Sequence, residues 1–156
     1  MSETRAIQDI LFPDLTCFGC GPANDKGLRL KSHWEGDGED ARAVATFTPW
    51  PEHDNGIGYL NGGIIATLLD CHSGATVQWT ARLNGWEPLG GAGLAYVTAG
   101  IDVRYLRPAP LREAVGLVGE IEHADENEIR AVVRLEWDGK PRAEATALWK
   151  RWRPRA

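Results

Sequence analysis

Long apolar runs are missing from this 156-residue chain, and with them any segment able to cross a membrane as a helix. The opening Met1-Ser2-Glu3-Thr4-Arg5 also lacks the apolar core of a secretory leader. Cysteine is scarce: Cys17, Cys20 and Cys71 are too few for a disulfide scaffold. Positive charge is in deficit, with 17 Lys and Arg against 22 Asp and Glu, which argues against a nucleic-acid partner. No internal repeat, low-complexity tract or linker breaks the chain. These absences point to one cytoplasmic globular domain, with neither membrane nor nucleic acid among its partners. A length of 156 residues is enough to bury a real core, and a hydrophobic content of 43% is enough to fill it.

What is present has a readable order. Residues 1–26 read as irregular, broken by Pro13, Gly19, Gly21 and Pro22. Leu28, Leu30, Ser32 and Trp34 alternate with Arg29, Lys31 and His33, the period of a strand. A second strand covers 41–48 and ends before Pro49 and Pro51. A long apolar-periodic helix follows from about Gly62 to Leu83, stopped by Asn84-Gly85. After the Gly90–Gly93 loop come four strand-like segments, at about 97–105, 114–123, 128–137 and 142–150, the last two joined by an Asp138-Gly139 hairpin turn. One helix with one apolar stripe needs a sheet to cover it, so the expected class is α+β, a long helix wrapped by about six antiparallel strands.

The densest chemistry lies between Glu52 and Asp70. A turn-rich loop runs into Gly62-Gly63, and these open the helix. Glycines there let a ligand approach the backbone, and the free N–H groups of a helix start favour an anion or a developing oxyanion. Asp70 sits two turns inside the helix, where Asp is a poor former. It falls opposite the apolar stripe of Ile65, Leu68, Leu69, His72 and Ala75, among Gly63, Ala66 and Gly74. A carboxylate on a face of very small residues suggests that another backbone or a ligand lies against it. His72, on the apolar side, reads as a hydrogen-bonded core residue.

Cys17-x-x-Cys20 is half of a zinc-site pattern, but no second pair and no His-x₃-His follows, and His33, His53 and Cys71 stand isolated in sequence. The expectation is no metal, with two thiols packed in an N-terminal turn. Arg104, Arg107 and Arg112 lie close together, and the tail from Lys150 to Arg155 is basic; both are candidates for contacts to phosphate.

Three motifs carry a family resemblance. They are Cys17-Phe18-Gly19-Cys20-Gly21-Pro22-Ala23-Asn24 followed by Gly27-Leu28-Arg29-Leu30, then Asn55 to Asp70, then Tyr105-Leu106-Arg107-Pro108-Ala109. At these spacings the chain resembles the hotdog-fold acyl-CoA thioesterases of the phenylacetate-pathway (PaaI-like) type. The resemblance implies a hotdog domain over 27–150, an irregular segment 1–26 packed on it and a basic tail 151–156. It also implies hydrolysis of acyl-CoA with no cofactor. By motif position the Gly62 amide polarises the thioester carbonyl, Asp70 is general base or nucleophile, and Asn55 helps hold the carbonyl or the water. Thr98 matches the hydroxyl residue that contacts the water. Many members carry His where this chain has Asn61, which hydrogen-bonds but exchanges no proton near neutrality. Asn61 therefore keeps only an orienting role.

Spacing adds one inference of its own. Gly62 and Asp70 are about 12 Å apart along one helix at ~1.5 Å per residue, yet both must act within about 3 Å of one reacting centre. A two-fold pair of antiparallel helices removes the conflict by joining Asp70 of one copy to Gly62 of the other. A homodimer, or a dimer of dimers, is expected. The rival readings are a non-catalytic acyl-CoA-binding hotdog module, a hotdog hydratase or dehydratase, and a zinc or redox module on the Cys pair.

Overall fold

The computed structural model describes residues 5–155, so residues 1–4 and Ala156 of the two expected terminal segments lie outside it. In chain order the elements are α1 (Ile7–Leu11), β1 (Ser32–Glu35), β2 (Arg42–Phe47), α2 (Gly62–Leu83), β3 (Tyr96–Tyr105), β4 (Val115–Ala124), β5 (Glu128–Trp137) and β6 (Lys140–Arg151). The six strands form one open antiparallel sheet in the order β1-β2-β4-β5-β6-β3. Helix α2 lies across it and touches all six strands. No helix of the described residues is long and apolar enough to cross a membrane.

The strands build the core by strict alternation. Ala43, Ala45 and Phe47 of β2 face inward, as do Val115 and Leu117 of β4, Ile129 to Leu135 of β5 at every second residue, and Ala143, Ala145 and Ala147 of β6. Leu68 and Leu69 of α2 are fully buried against them. Alanines on the inner face let the helix come close. At Gly119 of β4 the approach is tightest, since a Cβ there would lie 2.3 Å from Thr76 Oγ1.

Two local expectations need correction. The alternation at 28–34 is only half strand. Pairing with β2 begins at Ser32 opposite Ala45. The buried Leu28 and Leu30 donate their N–H groups instead to Phe18 O and Gly19 O, so the leucines zip onto the Cys17–Gly21 turn. Residues 7–11, expected to be irregular, form the short helix α1, and Gln8 on it is buried against Ser32. At the other end, β6 takes in Arg151. Its guanidinium is buried over the Tyr96 ring and donates to Trp86 O and Glu87 O.

Candidate active site

The loop entering α2 is folded by two of its own side chains. Asp54 Oδ1 accepts from the N–H groups of Gly56 and Gly58, both at 2.9 Å. Asn55 Oδ1 accepts from Ile57 N–H at 3.0 Å and Tyr59 N–H at 3.2 Å. That leaves the Asn55 amide Nδ2 without a partner among the described residues, on an exposed side chain.

Asn61 is the N-cap of α2. Its Oδ1 accepts from Gly63 N–H at 2.8 Å and Ile64 N–H at 3.2 Å, and its backbone carbonyl takes Ile65 N–H at 3.0 Å. Of the first four helical donors, the Gly62 N–H alone has no partner among the described residues. Asn61 thus fixes the helix start. Tyr105, at the end of β3, donates from its hydroxyl to Gly62 O at 2.6 Å, and its ring lies 3.5 Å from where a Gly62 Cβ would be. Sequence reading passed over Tyr105, although it opens one of the three motifs.

Two turns on, Asp70 is half-buried, and Thr98 near the start of β3 donates from Oγ1 to Asp70 Oδ1 at 2.8 Å. Burial pushes the Asp70 carboxyl above the usual carboxylate range, and the Thr98 hydrogen bond partly offsets this. The backbone beneath is braced. Ser73 Oγ donates to Asp70 O at 2.7 Å and accepts from Trp149 Nε1 at 2.9 Å. The Trp149 ring lies where a Gly74 Cβ would be, 2.7 Å from its Cη2. Part of the small-residue face is therefore filled from within the chain, by Trp149. Gly63 is exposed and Ala66 partly so.

Gly62 and Asp70 do not share a cavity. One hollow of about 420 Å³ is bounded by Asp70, Thr98, Trp149, Phe12 and Leu94. Another, of about 400 Å³, is bounded by Asn55, Tyr59, Gly62, Tyr105 and Arg107. Both lie along β3, an edge strand of the sheet. Helix α2 runs against that strand so that Gly62 meets Tyr105 and Asp70 meets Thr98.

The first hollow holds a feature the sequence hid. Cys71 is not isolated: α2 brings it beneath the Cys17–Gly21 turn, and the three sulfurs lie within 4.8 Å of one another. Cys17 and Cys71 are 3.8 Å apart, Sγ to Sγ, across 54 residues of chain. Hydrogen bonds from the Cys20 and Cys71 thiols, and then from the Cys20 and Gly19 N–H groups, bring the Cys17 thiol down to about 2. Its neighbours move the other way: Cys20 is pushed up to about 12, chiefly by its bond to Cys17, and Cys71 is raised by the same partners. His72 is the expected core residue. Its Nε2 donates to Ala43 O at 2.9 Å and its Nδ1 accepts from Ser32 Oγ at 2.9 Å.

No family model matches the sequence, and no curated protein matches it. Solved structures do. A thioesterase superfamily protein from Shewanella loihica PV-4 superposes with a TM-score of 0.65 at 27% identity, over 85% of this chain and 98% of that one. The chain has the hotdog fold of the thioesterase superfamily. Two further neighbours share the fold. The E. coli PaaI protein of the phenylacetic acid degradation operon gives a TM-score of 0.63 at 17% identity, over 81% of each chain. Zebrafish thioesterase superfamily member 2 gives 0.64 at 20%, over 83% of this chain and 90% of that one. In this hotdog chain the central helix is α2, and both hollows open along its β3 flank.

Proposed function

We propose that this protein hydrolyses acyl-CoA thioesters to the free acid and CoA, at sites completed by two copies of the chain. The carbonyl oxygen of the substrate sits at the unpartnered Gly62 N–H, reinforced by the positive end of α2. The Asn55 amide is within the same hollow as a second donor. Asp70 of the other copy, aligned by Thr98, either takes a proton from water as that water attacks the carbonyl carbon or attacks the carbon itself. The C–S bond breaks as the tetrahedral intermediate collapses, and the CoA sulfur leaves and takes up a proton; where Asp70 itself has attacked, water then hydrolyses the acyl–Asp70 anhydride, which frees the acid and restores the carboxylate. The mostly apolar hollow beside Asp70 receives the acyl group, and Arg107 borders the hollow through which CoA enters.

One observation carries this reading: Gly62 with Asn55 and Asp70 with Thr98 occupy separate hollows along the same edge strand. A two-fold axis beside Ala66 and the middle of β3 would bring each half to its complement, twice. Edge strands with exposed apolar side chains, here Ile101 and Tyr105, favour such pairing.

Mixing two inactive variants tests it. Asp70→Ala and Asn55→Ala homodimers should each be nearly inactive in a thiol-release assay over a panel of acyl-CoAs. Co-refolded in equal amounts, half of the dimers are mixed, each with one intact site of two, so roughly a quarter of wild-type activity should return. Recovery absent despite proven subunit exchange means that the two residues act within one subunit. Acyl-CoA binding with no thiol release by wild type would instead favour the non-catalytic module.

A further inference from the structure

The thiol cluster is not needed for the chemistry above, yet it is built. Cys17 and Cys20 come from the N-terminal turn and Cys71 from the middle of α2, so no local spacing forces them together. The turn is shaped to seat them. Its Gly21 N–H closes onto Cys17 O at 2.8 Å. Side chains are barred where the turn meets the helix: a Cβ on Gly19 would fall 2.2 Å from Cys71 Sγ, and one on Gly21 would strike the Cys17 backbone at 2.4 Å.

We propose that Cys17, Cys20 and Cys71 bind one zinc ion through three thiolates, pinning the N-terminal segment to α2 beside the Asp70 hollow. Two thiolates on one tetrahedral zinc, each at about 2.3 Å, stand about 3.8 Å apart. The observed 3.8 Å between Cys17 and Cys71 is that separation, and is far from the roughly 2.05 Å of a disulfide. Three thiols also make an odd set for disulfide chemistry and a complete face for a tetrahedral cation. Among the described residues no further His, Cys, Asp or Glu joins the cluster. All three cysteines line the hollow, so the ion can enter there and take its fourth ligand from it. The three thiols release their protons to solvent as the ion binds.

The test reads metal rather than turnover, and so stands apart from the proposed hydrolysis. Full-length reduced protein is stripped with a chelator and titrated with Zn²⁺ alone, and with Co²⁺ as a spectroscopic stand-in. The expected results are one zinc per chain and a cobalt–thiolate charge-transfer band of three-thiolate intensity. Cys71→Ser and Cys20→Ser should each weaken zinc binding more than ~100-fold, since even loss of an outer-shell partner costs about 10–100-fold. Should a variant misfold, wild type suffices: because it has only three cysteines, zinc should shield all of them from iodoacetamide, and chelator should expose them. Substoichiometric binding, shielding of fewer than three thiols, or unchanged affinity in Cys71→Ser would overturn the proposal.

Discussion

Asp70 and His72 are two residues apart on the same helix, and the two flanks they occupy have opposite characters. On the β1–β2 flank, His72 is fully buried and every polar atom is matched: Ala43 O takes its Nε2–H, Ser32 Oγ donates to Nδ1, and Gln8 bonds Ser32 in turn. Burial lowers the imidazole to about 4, so it is neutral and fixed in one tautomer. On the β3 flank, Asp70 is half-buried with a single side-chain partner among the described residues, and beside it lies empty volume. A saturated polar network stabilises a fold, whereas an undersaturated group facing a hollow keeps capacity for a ligand. The same helix carries both because its two sides face different neighbours.

Breaking the open flank should change activity far more than stability. Asp70→Asn is expected to lower turnover by roughly 10²–10⁴-fold, the usual contribution of a positioned base, while circular dichroism keeps the helical signal. Wild-type-like thiol release in that variant would remove Asp70 from the chemistry. Breaking the closed flank should do the reverse. His72→Ala opens a cavity and strands Ala43 O and the Ser32 hydroxyl, so urea unfolding should show a loss of more than about 3 kcal/mol. The smallest effect belongs to the junction of the two flanks at the helix start. Asn61→Ala removes the cap and should cost about 1 kcal/mol in the same unfolding assay.

Helix α2 was legible because its apolar period is bracketed by Gly62-Gly63 and Asn84-Gly85, and its observed ends coincide with those signals. The β4–β6 meander was legible from alternation and the Asp138-Gly139 turn, with Asp138 and Gly139 both at positive φ. Alternation misled at Leu28 and Leu30, where the partner is a loop backbone, because a period of two reports a buried face and not what covers it. Helix α1 is too short to show a period. Motif spacing named Asn55, Asn61, Gly62, Asp70 and Thr98 as candidates, and helix rise already set Gly62 apart from Asp70; that Tyr105 joins the first and Trp149 the second depends on how α2 lies along β3 and β6. Cys71 and Trp149 escaped for a related reason. Their partners are 54 and 76 residues away, and only the folded sheet brings them together.

The cap at Asn61 also decides by subtraction. One carbonyl oxygen removes two of the three free N–H groups at the helix start, and the one remaining belongs to Gly62. Aspartate caps a helix about as well as asparagine. It would, however, set a full negative charge beside the spot where, in the proposed hydrolysis, a substrate oxygen becomes negative, repelling the charge that the helix end attracts. An amide gives the same geometry with no net charge. If the proposed site holds, neutrality at this position is a requirement distinct from capping strength, and helix propensity tables do not register it.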